Sequence, residues 1–260
     1  MIIAISNQKG GVGKSTTAIN LSACLAEKKK KVLTIDFDPQ GNTTSGLGID
    51  KNECENTIYE LLIGKSTVKE CIINTEIKNL RIIPSNANLV GAEVELSEEK
   101  DKEYILKNEL DWIKEDYDFI IIDCPPSLNI FTINAMCASD SILIPIQCEY
   151  YALEGLSDLS ETIALVQERL NENLIIEGIV FTMYDSRTNL STEVVANVKK
   201  NLEEPIFKTI IPRNIRLAEA PSYGMPIVKY APKSAGAEKY RDLASELIKK
   251  TRKRQSNKEQ

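Results

Sequence analysis

Histidine is absent from this chain. Its absence removes the Ser-His-Asp and Cys-His nucleophile systems and every metal site built on imidazole. Six cysteines are present, Cys24, Cys54, Cys71, Cys124, Cys137 and Cys148, but no two of them form a Cys-x-x-Cys pair. Zinc ribbons and dithiol redox motifs are therefore unsupported. The cysteines stand mostly among apolar neighbours and are expected as buried free thiols. No apolar run nears the roughly 18 residues of a membrane span. The first strand is expected from Ile2, directly after Met1, so no signal peptide is expected before it. A reduced, cytoplasmic protein is the reading.

What is present is an ordinary globular composition. Of 260 residues, 42% are hydrophobic and 27% charged, enough for one large domain or two small ones. A chain of this size buries roughly three quarters of its unfolded surface. The net charge of −6 hides an asymmetry. Residues 1–180 carry 16 Lys/Arg against 29 Asp/Glu, a net of −13, and residues 181–260 carry 16 against 9, a net of +7. The basic third fits a polyanion partner, and it fits equally a solvated helix face with a frayed tail.

Short apolar runs alternate with longer periodic segments. Strands are expected at Met1–Ser6, Val32–Asp36, Leu80–Pro84, Phe119–Asp123, Ser141–Gln147, Ile175–Thr182 and Ile206–Ile211. Helices are expected at Lys14–Glu27, Ile58–Ile63, Ile130–Ala138, Leu153–Leu170, Thr192–Leu202 and Gly236–Lys250. A long charged helix is expected over Asn86–Asp116, broken near Glu99–Asp101. Strands apolar on both faces, alternating with helices of ten or more residues, indicate a parallel sheet covered on both sides. One α/β domain over residues 1–250 is expected, with a basic, flexible tail over 251–260.

The sharpest motif is Gln8-Lys9-Gly10-Gly11-Val12-Gly13-Lys14-Ser15-Thr16, which follows a strand and opens a helix. That is the setting of a nucleotide phosphate loop. Gly10, Gly11 and Gly13 let the backbone wrap and aim N–H groups at a β-phosphate. The positive end of the following helix adds to them. Lys14 would reach the β- and γ-phosphates, and the Ser15 hydroxyl would ligate Mg²⁺. Gln8 stands where the simple pattern has its first glycine. Lys9 is an additional lysine, placed to serve a neighbouring subunit's nucleotide.

Two carboxylates, Asp36 and Asp38, follow the second strand, and they are expected to point in opposite directions. One would face the outer coordination sphere of Mg²⁺, and the other would leave toward the γ-phosphate. Four apolar residues, Phe119 to Ile122, end in Asp123, a Walker B pattern in which the carboxylate binds Mg²⁺ through water. Cys124 beside it is expected in the core and not in catalysis.

Lys9-Gly10-Gly11-x-Gly13-Lys14-Ser15 is the deviant Walker A motif. Pro39-Gln40-Gly41-Asn42-x-Thr44-Ser45-Gly46-Leu47-Gly48, Tyr184-Asp185-Ser186-Arg187-Thr188-Asn189 and the run Ile211 to Gly224 extend the match from Met1 to about Leu247. On these residues the chain resembles the ParA/Soj partition ATPases of the MinD/ParA superfamily. The resemblance implies a P-loop fold with a mostly parallel, twisted sheet of seven or eight strands flanked by helices. It implies ATP and Mg²⁺ as ligands and weak ATP hydrolysis stimulated by DNA and a partner. Lys9 would cross a homodimer interface, Asp38 would orient the attacking water, and Pro212-Arg213 would lie around the adenine. Arg187 and Arg216 align with arginines that relatives use for nonspecific DNA contact, and Lys199, Lys200 and Lys233 are chosen by charge. The implied partners are a second copy, DNA of any sequence and a ParB-type centromere-binding protein, with the chain on the nucleoid. No cysteine setting suits the iron–sulfur relatives. The basic end lacks the apolar face of a MinD-like lipid anchor, so no membrane is expected. A MinD-like regulator of division and a DNA-binding switch with incidental hydrolysis are the alternatives.

Overall fold

Alternation within each strand sets the architecture. In Val32–Asp36 (β2) the side chains of Leu33 and Ile35 enter one apolar cluster, while Val32 enters another on the opposite face. Successive strand residues point to opposite faces, so a strand buried on every position must be covered twice. Ile2–Ile5 (β1) and Phe119–Asp123 (β5) are likewise buried at each residue. The computed structural model describes residues 1–149 and 154–258.

With Leu80–Ile83 (β4), Ser141–Gln147 (β6), Ile175–Tyr184 (β7), Ile206–Pro212 (β8) and the two-residue Ile73–Asn74 (β3), these strands make one eight-stranded sheet. Its order is β3-β4-β2-β5-β1-β6-β7-β8, all parallel except the β3–β4 pair. The expectation of seven or eight mostly parallel strands holds, and β3 is the strand the sequence reading did not show. One face is covered chiefly by Lys14–Glu27 (α1) and Ala235–Lys258 (α12). The other carries Ile58–Leu62 (α3), Leu89–Glu95 (α5), Ile105–Asp111 (α6), Ile130–Ala138 (α7), Glu154–Arg169 (α8) and Asn189–Asn201 (α9). Short helices Asn42–Gly46 (α2), Val68–Cys71 (α4), Ile215–Glu219 (α10) and Ile227–Tyr230 (α11) complete the described chain. The expected start of the fifth sequence helix, Leu153, lies outside the described residues.

The break expected near Glu99–Asp101 is present. Helix α5 ends at Glu95, Asp101 takes a left-handed φ of 55°, which an α-helix does not accommodate, and α6 starts anew at Ile105. One expectation, the end of the last helix at Lys250, needs correction. Helix α12 continues to Lys258, well past Lys250. Thr251 is buried, and the Arg254 guanidinium donates to both carboxylate oxygens of Glu177 at 2.9 and 2.8 Å. Glu177 is fully buried in β7, and Lys250 also reaches it. A buried carboxylate needs paired cations, and this demand orders the helix end.

Of the six cysteines, five are buried and Cys54 is partly exposed, and all are free thiols, as expected.

Candidate active site

In parallel sheets, ligands gather at the carboxyl ends of the strands, where the order reverses around the first strand. Here β1 lies between β5 and β6, and residues 6–13 leave its end as a loop. Gly11 and Gly13 hold φ of 75° and 90°, a region that glycine enters freely. Asn7 is buried and pins the loop from below. Its amide donates to the Pro145 carbonyl at 2.8 Å, and its side-chain oxygen accepts from the Lys9 N–H at 2.9 Å. The Thr182 hydroxyl donates to the Val12 carbonyl at 2.8 Å, tying the loop to β7. Helix α1 starts at Lys14, with Gly13 as its N-cap and no side-chain cap. Its first N–H groups therefore remain free for an anion.

A cavity of about 600 Å³ opens above this loop. Gly10, Gly11, Gly13, Lys14, Ser15, Thr16 and Asp38 line it. Gln40, Asn42, Ser45 and Gly46 come from the segment after β2, Pro126 from the segment after β5, and Met183, Pro221 and Ser222 from far along the chain. A second cavity of about 360 Å³ shares Gly13, Thr16 and Met183 with the first. Pro212 and Arg213 line it, with Asn214, Ile215, Leu217 and Tyr240. The two together give a polar basin at the glycine loop continuous with an apolar slot, the combination a nucleotide needs for phosphates and base.

The charged residues are tightly tied. Lys14 is buried, and its ammonium donates to the Lys9 carbonyl at 3.1 Å. Burial lowers its pKa, while Asp123, Cys124 and Asp38 oppose that shift. Asp36 and Asp123 face each other across the β2–β5 ladder. Burial pushes both carboxyls up, and for Asp123 the neighbouring Asp36 charge adds to it. Asp36 is held by Thr44, whose N–H and hydroxyl each donate at 2.7 Å. Asp123 accepts from the Thr43 hydroxyl at 2.7 Å through one oxygen, while Oδ1 is buried without a hydrogen-bond partner among the described residues. A buried carboxylate oxygen left unpaired costs about 1–3 kcal/mol, and a cation or its water at that place would remove the cost. Among the described residues no cluster of three or more Cys, Asp or Glu could cage a metal unaided. The donor set of one hydroxyl, Ser15, and one carboxylate, Asp123, suits an ion that also takes phosphate oxygens and water, as Mg²⁺ does. Burial raises the Cys124 thiol, which keeps it protonated and without nucleophilic character.

The sequence-predicted residues separate accordingly. Gly10, Gly11, Gly13, Lys14, Ser15, Thr16 and Asp38 meet in one basin. Val12 is buried behind it and contributes its carbonyl to the tie with Thr182. Asp36 is turned to Thr44 and braces the loop after β2. The expected divergence of Asp36 and Asp38 takes another form. The Asp38 N–H donates to Asp36 Oδ1 at 3.2 Å, and Phe37 between them packs on Phe131 of α7, with ring centroids 5.5 Å apart. Lys9 lies at the rim, its ammonium 3.0 Å from Glu149 of the same chain. Arg187, Arg216, Lys199, Lys200 and Lys233 line neither cavity and are solvent-facing. Arg187 pairs with Asp185 and Arg216 with Glu219. Thr43, Thr182 and Glu149 were missed by the sequence reading, and Thr44 entered it only as part of the motif after β2, with no role given. For Thr43 the signal existed: a second hydroxyl beside Thr44 in the run Asn42-Thr43-Thr44-Ser45.

Known proteins match this arrangement. A family model described as an AAA domain matches residues 1–176. The sporulation initiation inhibitor protein Soj of Bacillus subtilis is 56% identical over 246 residues, covering 95% of this chain and 97% of that protein. The chromosome partitioning protein ParA of Myxococcus xanthus is 51% identical, with 96% and 88% covered. The chain belongs to the ParA/Soj family of partition ATPases. Among solved structures, the cell division ATPase MinD of Pyrococcus furiosus has a TM-score of 0.79 at 28% identity, with 95% of this chain and 98% of that one covered. A cobyrinic acid a,c-diamide synthase from Mycobacterium smegmatis, with bound ADP and magnesium, has a TM-score of 0.85 at 36% identity, with 95% and 93% covered. ParA/Soj membership agrees with the deviant phosphate loop, the carboxylate pair and the paired cavities. No described helix is long and apolar enough to cross a membrane.

Proposed function

We propose that this chain is an ATP-driven partition switch. It binds ATP, pairs with a second copy, holds DNA without regard to sequence, and lets go after hydrolysis promoted by a ParB-type partner. The observation that carries the reading is the basin itself: a buried lysine, a buried carboxylate with an unpaired oxygen, and free helix N–H groups all converge on one glycine loop. Mg²⁺, held by Ser15 and through water by Asp123, would supply charge neutralisation for the phosphates. Lys14 neutralises the β- and γ-phosphates from within the subunit, and residues 10–16 cradle them with backbone N–H groups. Pro212 and Arg213 border the base. Asp38 lines the basin, and its Oδ1 already accepts from the Gln40 N–H at 2.9 Å, which fixes the carboxylate where it can orient a water. Lys9 leaves Glu149 when a second subunit presents its nucleotide. Exposed pairs of this kind contribute little, so the exchange has a low barrier. Arg187 and Arg216, with Lys199, Lys200 and Lys233, contact phosphate backbone, and the dimer doubles those contacts. The chain then acts in the cytoplasm, on the nucleoid.

Two variants test the reading together. Asp38→Ala should bind ATP and dimerise but hydrolyse about 10²–10⁴-fold more slowly in single-turnover assays, the usual loss with a proton-handling or water-orienting group. Lys9→Ala should bind a fluorescent ATP normally yet sediment as a monomer with ATP. A Lys9→Ala protein that dimerises like the parent sinks the intersubunit role of Lys9. Unchanged hydrolysis in Asp38→Ala removes that residue from catalysis.

A further inference from the structure

Asp38 stands in a loop between the end of β2 and the start of α2 at Asn42. No strand or helix fixes its shape, so other groups must. Within the loop, Asp38 Oδ1 accepts from the Gln40 N–H and the Asp38 carbonyl from the Gly41 N–H, both at 2.9 Å. From the end of β4, the Ser85 N–H donates to the Thr44 hydroxyl at 2.9 Å. The remaining tie comes from Lys51, beyond α2. Its ammonium donates to the Gln40 carbonyl at 2.6 Å. Gln40 is thus held twice, by the Asp38 carboxylate at its N–H and by a cation at its carbonyl. Gly41, the next residue, is buried with φ 61°. A Cβ there would stand 2.8 Å from Lys51 Cδ and 2.8 Å from the Ser85 carbonyl oxygen. The Lys51 stem and the end of β4 therefore close on this glycine and leave no room for a side chain.

The surroundings of Lys51 give a second observation. Asp50, Glu53 and Glu55 lie within four residues of it, yet among the described residues its ammonium has no carboxylate within 4.0 Å. The Asp50 carboxylate is turned to its own turn and accepts from the Asn52 N–H at 2.9 Å. The backbone aims Lys51 back at the loop. The Ile49 N–H donates to the Thr44 carbonyl at 3.2 Å, and the Glu53 N–H to the Asp50 carbonyl at 3.1 Å. Holding a lysine in one rotamer costs side-chain entropy. Here that cost is met by a charge-assisted bond, shorter and stronger than a neutral one, to a single backbone carbonyl.

We propose that Lys51 is a positioning residue for ATP hydrolysis. Its ammonium, seated on the Gln40 carbonyl, keeps the loop in the shape that points the Asp38 carboxylate at water. The proposal rests on the reading of Asp38 given above. Lys51 lines neither cavity, so it acts through the loop and leaves nucleotide binding to other residues. A shift of about 1 Å in a reacting group can cost about 100-fold in rate, so a loop released from Lys51 hydrolyses slowly while it still binds.

The test uses the full-length protein with saturating Mg·ATP. Single-turnover hydrolysis, equilibrium binding of a fluorescent ATP and urea unfolding are measured on each variant. Lys51→Met keeps the stem over Gly41 and removes the ammonium. It should hydrolyse about 10–100-fold more slowly, with ATP affinity and the unfolding midpoint at the parental values. Lys51→Arg keeps a cationic donor and should restore most of the rate. In D38A/K51M the second substitution should add nothing to the first, because Lys51 works through Asp38. Lys51→Gln, also uncharged, repeats the test should Lys51→Met not fold. Hydrolysis at the parental rate in Lys51→Met overturns the proposal. So does Lys51→Arg as slow as Lys51→Met, because the cation on the carbonyl is then not what matters. A drop in ATP affinity that accounts for the whole loss of rate overturns it as well, and so does a full further loss in D38A/K51M. Failure of the underlying reading is separable. Asp38→Ala alone would then hydrolyse at the parental rate, whereas failure of the Lys51 proposal leaves Asp38→Ala slow and Lys51→Met fast.

Discussion

The two ends of the proposed switch are built by opposite rules. At the nucleotide end, Lys14, Asp36, Asp38 and Asp123 are all buried; Asp123 is held by Thr43 from a distant segment, and Lys14, Asp36 and Asp38 are held by Lys9, Thr44 and Gln40 of their own loops. At the proposed DNA end, Arg187 and Arg216 have side chains 84% and 60% exposed, and each pairs with a carboxylate two or three residues away. A buried charge is stable only in one arrangement, because its desolvation must be offset by particular partners. An exposed charge keeps its hydration and can exchange a local carboxylate for a phosphate with little loss. Position is therefore exact where chemistry requires it and loose where only counterion release is required.

The comparison is tested hardest at Lys14. Lys14→Ala should lose about 2–5 kcal/mol of Mg·ATP affinity, the range for truncating one partner of a buried, hydrogen-bonded charge pair. Stability without nucleotide should not fall. Burial lowers the Lys14 pKa, so folding works against that charge, and only the partial attraction of Asp123, Cys124 and Asp38 repays it. Calorimetric titration and urea unfolding of the nucleotide-free protein check the two halves. A variant that unfolds more easily while still binding ATP would reverse the assignment, making Lys14 a structural cation.

Local sequence carried the centre of this end. Residues 8–16 and 119–123 announce a phosphate loop and a carboxylate-bearing strand, since glycine spacing and apolar runs act within a few residues. What the sequence hid depends on contacts between distant segments. Met183 enters the basin from the carboxyl end of β7, and Pro221 and Ser222 from the turn after α10, which folds back over it. Glu149 meets Lys9 across 140 residues. The break in Asn86–Asp116 near Glu99–Asp101 was legible, and the structure adds its form, a left-handed Asp101. The end of α12 was not: a basic, polar sequence looks frayed until its buried acid, 77 residues earlier, is known.

That acid gives the next test, a buried charge with no part in nucleotide chemistry. Glu177 accepts from Arg254 and, through its carbonyl, from Lys250, whose ammonium also stands 4.6 Å from the centre of the Phe207 ring. Glu177→Gln keeps the shape and removes the charge. It should cost about 1.5–3 kcal/mol in urea unfolding, the worth of hydrogen bonds to a charged group. Hydrogen exchange over residues 250–258 should rise, while ATP affinity stays at the parental value. If exchange there is already fast in the parent, the helix end is not held by this pair, and the tail is frayed as its composition suggests.

The smallest effect is expected at the exposed end. Arg216 is bonded to Glu219 at 2.9 Å, and Tyr230 donates to the same carboxylate at 3.0 Å. The pair therefore survives without DNA, and a surface ion pair is all that it needs to be. The proposal that Arg216 also meets phosphate makes a different forecast from the ion pair alone. Arg216→Ala should leave ATP binding, dimerisation and unfolding unchanged, because an exposed pair adds little to stability. It should weaken DNA binding by similar factors on unrelated duplexes, because a phosphate contact carries no sequence information. As a dimer holds two copies, the slope of log affinity against log salt should fall by up to about 2. Glu219→Ala sharpens the comparison. If Glu219 competes with phosphate for the guanidinium, removing it should strengthen DNA binding, whereas a purely structural pair predicts the same mild change in both variants. The measurement is a salt titration of the ATP-trapped dimer on two duplexes of unrelated sequence. Equal slopes in Arg216→Ala and the parent would leave Arg216 as a surface partner of Glu219, and a loss on one duplex alone would mean that the protein reads bases.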